Sequence, residues 1–358
     1  MRVLQVLHQG GGAGSVISTL HLSLGLAKAG VEVRFACPPG SEVERQARDG
    51  GLEVHPLLLE PKRAWSNAAR LAQLLDRQPV DLINSQSARD RQALTLLAVT
   101  GRLSPPWVAT RRQMPRTLFP ANWLTSRAAA RMVAVSRAVG DALVRRGTPR
   151  RKLVIIPNGL VTDRIDVPVS HEAVTAWRDR IAWEPTRRTL GIVARPKDQD
   201  VVLRALDKVQ TPVRLVLAGV DPATELGQRA RRVPARHAVV CVPFTPDVRP
   251  LYDLLELVLL PSRSEGLSQA LLEAMALGKA VVVSADTGNL DVVTDRVDGR
   301  LVTPMDPAAW AEAIESLLRA PEEAGRLGRA ASLTARNRFS LARTIDRTAA
   351  LYYQILGG

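Results

Sequence analysis

Short runs rich in valine, isoleucine and leucine alternate with helix-length amphipathic stretches, and this alternation constrains the fold more than any other feature. In the first half the apolar runs cover residues 3–7, 32–36, 81–84, 107–110, 132–135 and 153–156. In the second half they cover residues 190–194, 214–218, 238–241, 257–260 and 280–284. Strands that alternate with helices form parallel sheets covered by helices on both faces. Because the pattern restarts after a charge-rich joint at residues 162–188, we expect two such domains.

Composition excludes several classes of protein. The 358 residues are 46% apolar, which is enough for two packed cores. No apolar run reaches the roughly 18–20 residues that cross a bilayer, and the N-terminal residues 1–7 are interpreted as a first strand instead of a signal peptide. Two cysteines predict free thiols in a reducing cytosol, with a single disulfide as the alternative. The five histidines show no metal-ligand spacing, so we expect no metal site.

Positive charge is concentrated in the first half of the chain. Residues 1–165 carry 24 Lys and Arg against 11 Asp and Glu, whereas the remainder carries 25 against 24. Within residues 102–152 there are 12 basic residues and one acid, Asp141. A basic half joined to a neutral half predicts that one domain meets an anionic partner.

The chemistry is concentrated in residues 257–284, which predict a strand, a loop, a helix and a second strand. Glu265 comes at the carboxyl end of a parallel strand, where open α/β sheets bind ligands. Gly266 permits close backbone approach, and the N–H groups of Leu267 and Ser268 open a helix that can bind an anion. Glu273 follows eight residues after Glu265 on that helix. Two acids flanking an anion site suit a nucleotide sugar, whose hydroxyl-rich ends flank a diphosphate. The alternative is that both acids are solvated.

Residues 261–284 resemble the motif of two glutamates separated by seven residues in the retaining GT-B glycosyltransferases of family 4. The resemblance implies an α/β GT-B fold, in which two Rossmann-like, doubly wound parallel-sheet domains face each other across a cleft. It implies an acceptor-binding domain at 1–165, a donor-binding domain at 166–340, and a final helix, 341–358, that packs back on the first. It further implies that Glu265 faces the hydroxyls of the donor sugar and that Glu273 holds the ribose.

Other stretches are similar to the same family. The Gly-rich residues 9–15 resemble its loop beside the diphosphate and the acceptor, and residues 157–159 resemble its Pro-Asn-Gly turn, which implies donor-binding roles for Gly12 and Asn158. Residues 191–197 look like the strand end whose Arg195 and Lys197 grip the diphosphate. Independently of the family, two fixed cations there would neutralise charge on a departing nucleoside diphosphate.

The resemblance implies retention of anomeric configuration, no metal, and no cofactor besides the nucleotide sugar as co-substrate. The predicted acceptor-side residues are Gln86, Arg111 and Arg112. Departures from the family concern mainly this side, since Gln86 and Arg112 stand where family members often have histidine. Gly14 stands where the family commonly has an acid, and Asp291 stands where it commonly has Glu. The spacing between Arg195 and Lys197 is shorter than is usual in the family. We interpret these departures as an altered acceptor site. The alternative is a catalytically weakened or inactive nucleotide-sugar-binding relative.

Residues 111–131 interleave arginines with large apolar residues and suggest the acceptor class. Such a stretch can dock on an anionic membrane or grip a phosphorylated lipid; the alternative is a solvated, Arg-rich helix. We expect an anionic lipid-linked or lipopolysaccharide-type glycan acceptor, a UDP-type donor, and a cytoplasmic location with peripheral attachment to the inner face of the cytoplasmic membrane. The sequence does not support the alternative of a nicotinamide dehydrogenase, because no G-x-G-x-x-G motif follows the first strand. We expect no nucleic-acid partner, because aromatic residues make up only 4% and no recognition motif occurs.

Overall fold

The computed structural model describes residues 1–11, 14–115 and 119–357, and the chain folds into two compact units. The first unit comprises Met1–Gly159 and Ser340–Gly358, and the second comprises Leu160–Phe339. The sequence placed these boundaries after residues 165 and 340. The second unit closes on itself at its two ends, because the Leu160 N–H donates to the Phe339 carbonyl (2.7 Å).

Strands and helices alternate through the first unit in chain order. They are β1 (Arg2–Val6), α1 (Gly14–Lys28), β2 (Glu32–Cys37), α2 (Glu42–Asp49), β3 (Glu53–Pro56), α3 (Ala64–Arg77), β4 (Leu82–Ser85), α4 (Ala88–Val99), β5 (Trp107–Arg111), α5 (Phe119–Ala128), β6 (Arg131–Ala134), α6 (Arg137–Val144) and β7 (Leu153–Ile155). In the described part of the chain these strands form one seven-stranded sheet in the order β3-β2-β1-β4-β5-β6-β7. Every neighbouring pair is parallel.

The second unit repeats this plan. Its elements are α7 (Thr162–Asp166), α8 (His171–Arg180), β8 (Arg188–Val193), α9 (Asp200–Ala205), β9 (Val213–Ala218), α10 (Glu225–Ala230), β10 (Ala238–Val242), α11 (Arg249–Leu254), β11 (Leu257–Leu260), α12 (Gln269–Ala276), β12 (Ala280–Ser284), β13 (Arg300–Val302), α13 (Pro307–Arg319) and α14 (Pro321–Arg338). Its sheet, again counted over the described residues, has six parallel strands in the order β10-β9-β8-β11-β12-β13. Both orders are those of a doubly wound fold, so the predicted fold class is confirmed.

The last helix, α15 (Leu341–Gly357), packs on α1 in the first unit. The side chain of Ile345 on α15 packs against Gly25 of α1, where any larger residue would overlap it. The hydroxyl of the buried Tyr352 accepts hydrogen bonds from the Gln5 amide (3.0 Å) and the Asn84 amide (2.6 Å). The helix therefore completes both the apolar core and the polar interior of this unit.

Two strands were not predicted, namely β3 and β13. They are four and three residues long and lie at the edges of their sheets. Neither Glu-Val-His-Pro of β3 nor Arg-Leu-Val of β13 contains more than two consecutive apolar residues, whereas the equally short edge strand β7 is Leu-Val-Ile and was predicted. Within the described ranges every helix is too short or too polar to span a membrane.

Candidate functional site

The chain order of the second sheet reverses between β8 and β11, and ligands bind doubly wound sheets at the carboxyl ends of such strands. The loop after β8 begins at Ala194, and the loop after β11 begins at Pro261. The predicted donor-site residues of these two loops are therefore brought to the same edge of the sheet.

Lys197 and Glu265 meet at this edge, where the Lys197 ammonium donates to the Glu265 carboxylate. The Lys197 side chain is 39% exposed and that of Glu265 is 14% exposed, so the pair lies at the surface with its acid mostly covered. The sequence placed both residues in the donor site but did not predict their contact. Arg195 is exposed and forms no ion pair with any described residue.

The two loops are held by a second set of contacts. Asp198 accepts the backbone N–H of Arg263 (2.9 Å) and its guanidinium Nε (3.1 Å). The buried Gln199 accepts the N–H of Lys197 (2.5 Å) and donates to the carbonyl of Arg195 (2.8 Å). These bonds fix the backbone on which Arg195 and Lys197 are mounted.

A turn after β12 supports Glu265 from the other side. The hydroxyl of Thr287 accepts the N–H of Glu265 (3.1 Å), and the N–H of Gly288 donates to its carbonyl (3.1 Å). Asn289, which is buried, donates to the carbonyl of Ser262 (3.3 Å). Sequence reasoning missed this support, although the Thr-Gly-Asn run following a buried strand was a signal of a tight turn.

Helix α12 begins at Gln269, two residues later than predicted. Ser268 is its N-cap: the backbone there is extended, and the hydroxyl accepts the N–H of Leu271 (3.3 Å). Serine favours this position because its oxygen satisfies a first-turn N–H. The N–H groups of Leu267 and Ser268 therefore precede the helix, and Gly266 and Leu267 are buried below its start.

Glu273 is half-buried on α12 and faces α11. Burial raises the pKa of Tyr252, and the charge of Glu273 raises it further. The Tyr252 hydroxyl donates to the carbonyl of Ala270 in the first turn of α12 (3.2 Å). The Arg249 guanidinium donates a hydrogen bond to Asp247 (2.9 Å), which is the main reason that the pKa of Arg249 is raised; the charge of Glu273 makes a smaller contribution. Glu265 therefore contacts Lys197, whereas Glu273 lies near Tyr252 and Arg249, and the two acids have different surroundings.

Three predicted residues of the first unit meet in its interior. The Arg112 guanidinium donates to the side-chain oxygen of Gln86 (3.0 and 3.2 Å) and to that of Asn158. All three are buried. Asn158 thus lies with the predicted acceptor-side residues, and its donor-binding role stays a prediction. Gly12 lies outside the described residues.

Arg111 is also buried, at the end of β5. Burial lowers the pKa of its guanidinium most, and the positive charges of Arg91 and Arg146 lower it further. Within residues 1–11, 14–115 and 119–357, no carboxylate forms an ion pair with Arg111 or Arg112. Buried cations without a paired acid favour a nearby anion.

The basic stretch 111–131 is not one helix. It runs through the end of β5, a loop, α5 and the start of β6, and its residues 116–118 lie outside the described residues. β5 and the interior network bury Arg111 and Arg112 inside the first unit, and their acceptor-side role stays a prediction. Trp123 and Leu124 are exposed, and the Arg127 guanidinium lies 5.0 Å from the Trp123 ring centre.

A cluster at the switch point of the first sheet was absent from the sequence-based candidates. His8 follows β1, Ser87 follows β4, and Asp90 lies in the first turn of α4. The Ser87 hydroxyl lies 2.6 Å from both His8 Nδ1 and Asp90 Oδ1, and Nδ1 lies 3.2 Å from Oδ1. His8 and Asp90 are 82 residues apart in sequence, so no local motif could reveal their contact.

Both cysteines carry free thiols. Burial, and next the charge of Glu44, raise the pKa of Cys37 to about 12, which makes this thiol unreactive. No group of three or more His, Cys, Asp or Glu side chains in the described ranges is arranged to hold a metal ion.

Family models match both halves of the chain. Residues 12–164 match the family model Glycosyltransferase Family 4, and residues 187–320 match the model Glycosyl transferases group 1. The D-inositol 3-phosphate glycosyltransferase of Xylanimonas cellulosilytica is 31% identical over 57% of this chain and 52% of that protein. The chain thus spans about half the length of the curated relatives it matches.

Solved structures share the fold over nearly the whole chain. HepE of Anabaena, solved in complex with UDP-glucose, superposes with a TM-score of 0.84 at 18% identity, covering 99% of this chain and 100% of that one. The lipopolysaccharide outer core galactosyltransferase WaaB superposes with a TM-score of 0.74 at 14% identity, covering 99% of both chains. These neighbours are GT-B proteins, and the shared architecture is the GT-B fold.

Proposed function

We propose that this chain, which carries the two domains of the family 4 and group 1 glycosyltransferases, transfers a sugar from a nucleotide-sugar donor to an anionic acceptor with retention of anomeric configuration. The donor is a UDP-sugar, and the reaction needs no metal ion. The acceptor is a lipid-linked or cell-envelope glycan, reached from the cytoplasmic face of the membrane. The observation that carries this proposal is the contact of Lys197 with Glu265 at the switch point of the second sheet.

Each donor-site residue has a distinct role in this proposal. Lys197 and Arg195 neutralise the charge that develops on the leaving diphosphate, so they stabilise the transition state more than the bound donor. Glu265 accepts hydrogen bonds from the sugar hydroxyls, and Glu273 from the ribose hydroxyls. The start of α12 faces the diphosphate with backbone N–H groups.

The donor class is supported by this geometry and by the neighbours. HepE was solved with UDP-glucose bound, and the predicted diphosphate ligands lie where doubly wound folds bind nucleotides. Glu265 positions the Lys197 ammonium, and a bound diphosphate would replace the Glu265 carboxylate as the partner of Lys197.

The acceptor class rests on charge. Arg111 and Arg112 are buried without a paired acid among the described residues, and an acceptor bearing phosphate or carboxylate would compensate them. The curated relative named above is a D-inositol 3-phosphate glycosyltransferase, and WaaB is a lipopolysaccharide outer core galactosyltransferase. Exposed Trp123, Leu124 and Arg127 on α5 are suited to an anionic membrane surface.

The donor site is tested with the variants Lys197→Ala and Glu265→Ala. Purified protein is mixed with UDP-glucose, UDP-galactose, UDP-N-acetylglucosamine and GDP-mannose, and thermal stabilisation and release of nucleoside diphosphate are measured. Wild type should be stabilised by at least one donor and release its diphosphate, while both variants should lose turnover by on the order of 10²-fold. Binding without release would instead identify an inactive, sugar-nucleotide-binding relative.

An ion pair at the opposite ends of the same strands provides the control. Arg188 begins β8, Glu256 precedes β11, and their side chains form a 2.9 Å exposed pair. Exposed pairs contribute about 0–1 kcal/mol to stability, so Arg188→Ala and Glu256→Ala should match the site variants in stability but keep full turnover. Near-wild-type turnover of Lys197→Ala would refute its role.

Membrane attachment is tested by sedimentation with liposomes of phosphatidylcholine, with and without phosphatidylserine, at low and high salt. Wild type should sediment only with anionic vesicles at low salt, because screening weakens the attraction. The variant Trp123→Ala should lose most of this binding. Equal recovery in the supernatant under all conditions would contradict the proposal.

A further inference from the structure

The side-chain amide of Gln269, at the start of α12, is a hydrogen-bond donor without an acceptor. Its Nε2 atom is fully covered and forms no hydrogen bond with any described residue. Buried polar atoms in folded proteins are nearly always paired, and a donor left unpaired lowers stability. This exception therefore needs a reason, and a ligand that supplies the acceptor is one.

Two other unpaired atoms lie in the loops around Glu265, but both are closed off. Ser262 Oγ and Asn289 Oδ1 also lack a partner among the residues that the structure describes, and the two residues are only 2% and 1% exposed. Gln269 is half-buried, so part of its side chain reaches the surface. When its terminal amide rotates toward that surface, Nε2 gives up no hydrogen bond. Of the three side chains, Gln269 is therefore the one that a ligand can reach.

Helix geometry directs this amide toward the start of α12. Gln269 is the first residue of the helix, and Glu273 follows one turn later on the same face. Because Cα–Cβ bonds in a helix tilt toward its N-terminus, the Gln269 side chain leans away from Glu273 and toward the helix start. The backbone N–H groups of Gln269 and Ala270 form no backbone hydrogen bond within the described ranges, as is usual in a first turn. The amide thus lies beside two N–H groups of the second unit that also lack backbone partners.

The polarity of the amide nitrogen selects the part of the donor that it can bind. An amide NH2 group only donates hydrogen bonds, whereas a carboxylate only accepts them. The non-bridging oxygens of a diphosphate are acceptors, and the sugar and ribose hydroxyls can donate. The acids Glu265 and Glu273 therefore suit the two hydroxyl-bearing ends of a nucleotide sugar, and Gln269 suits the diphosphate between them.

We infer that Gln269 is a diphosphate-binding residue, which donates through Nε2 to a phosphate oxygen beside the N–H groups of the first turn of α12; this inference rests on the proposed function. The bond is made in the bound nucleotide itself, so its loss should weaken nucleotide binding. A side chain with a purely structural role would behave differently, because its replacement would lower the stability of the protein without nucleotide.

The variant Gln269→Leu separates the two roles, because leucine and glutamine have similar helix propensities but leucine has no donor. Affinities for UDP and GDP are measured by titration calorimetry, those for uridine and guanosine by NMR titration, and stability by urea denaturation without nucleotide. Gln269→Leu should bind the diphosphate that wild type prefers about 10–100-fold more weakly, as expected when a hydrogen bond to a charged group is lost. Its affinity for the matching nucleoside should be unchanged. Its urea midpoint should equal or exceed that of wild type, because an unpaired donor is removed.

Gln228→Leu provides the matched control, since Gln228 is an exposed glutamine on α10 of the same unit; it should bind the diphosphate as wild type does. Equal diphosphate affinities of Gln269→Leu and wild type would overturn the inference and leave the proposed function standing. Weaker binding together with a lower urea midpoint, or an equal loss of nucleoside affinity, would also overturn it. A wild type that binds neither UDP nor GDP would refute the proposed function and this inference with it.

Discussion

Gly288 has no room for a side chain, and Gly288→Ala tests whether the turn after β12 positions the donor site. An alanine Cβ would lie 2.8 Å from the carbonyl oxygen of Glu265 and closer still to that of Gly266, whereas real Cβ atoms essentially never come within 3.0 Å of another atom. Both obstacles are backbone, so the loop carrying Glu265 must move. The required shift approaches 1 Å, and a misplacement of about 1 Å costs on the order of 10²-fold in turnover.

The same substitution should lower the free energy of unfolding by about 1–3 kcal/mol, as overpacking does in other cores. Gly328→Ala controls for this loss, because its Cβ would clash with the backbone carbonyl of Gly278 at the opposite end of α12. That end lies about 12 Å from the helix start, at about 1.5 Å per residue. Gly325→Ala is the neutral control, since its Cβ meets only the flexible end of Arg329 at 3.4 Å.

The assays are urea denaturation and diphosphate release from the preferred donor. Gly288→Ala and Gly328→Ala should lose similar stability, but only Gly288→Ala should lose turnover, while Gly325→Ala should match wild type in turnover. Equal turnover of Gly288→Ala and Gly328→Ala would refute the claim that this turn positions Glu265.

Three further predictions concern single side chains. Tyr352→Phe should destabilise the first unit by about 1–3 kcal/mol in urea denaturation, because two buried amide groups lose their acceptor; Tyr353→Phe, at an exposed position, should have no effect. Burial lowers the pKa of His237 below its ordinary value of 6.5, so its contribution to stability is complete above pH 6.5 and declines as the pH falls below it. The urea midpoint should therefore drop from pH 7.5 to 5.5, and less so in His237→Gln; equal drops would contradict this assignment. Thr287→Ala should reduce turnover several-fold by removing the acceptor for the Glu265 N–H, whereas Thr287→Ser should retain it; full activity of Thr287→Ala would show that this bond is dispensable.

The sheet strands were the most predictable part of the molecule. Central strands of parallel sheets are buried on both faces, so they are continuous apolar runs, as in residues 257–260 and 280–284. The helix between these two strands was predicted as well, although the Ser268 cap places its start at Gln269. The edge strands β3 and β13 were missed because neither contains a run of more than two apolar residues.

Contacts between distant loops could not be predicted from local patterns. Lys197 meets Glu265 across 68 residues of sequence, and Arg112 meets Asn158 across 46. The sequence identified each of these residues by its motif, but only the sheet order shows which loops share an edge. His8 was passed over because its partner Asp90 lies in the first turn of α4, 82 residues away in sequence.

The return of α15 to the first unit has a consequence for biosynthesis. The second unit is continuous from Leu160 to Phe339, so all of its residues have been synthesised before α15 emerges from the ribosome. The first unit, although made earlier, must wait for α15, because the amides of Gln5 and Asn84 and the surface of α1 lack their partners until Tyr352 and Ile345 arrive. The half of the protein that is translated first is therefore the half that is completed last, and a chain released after residue 340 would contain every residue of one unit but lack the last helix of the other.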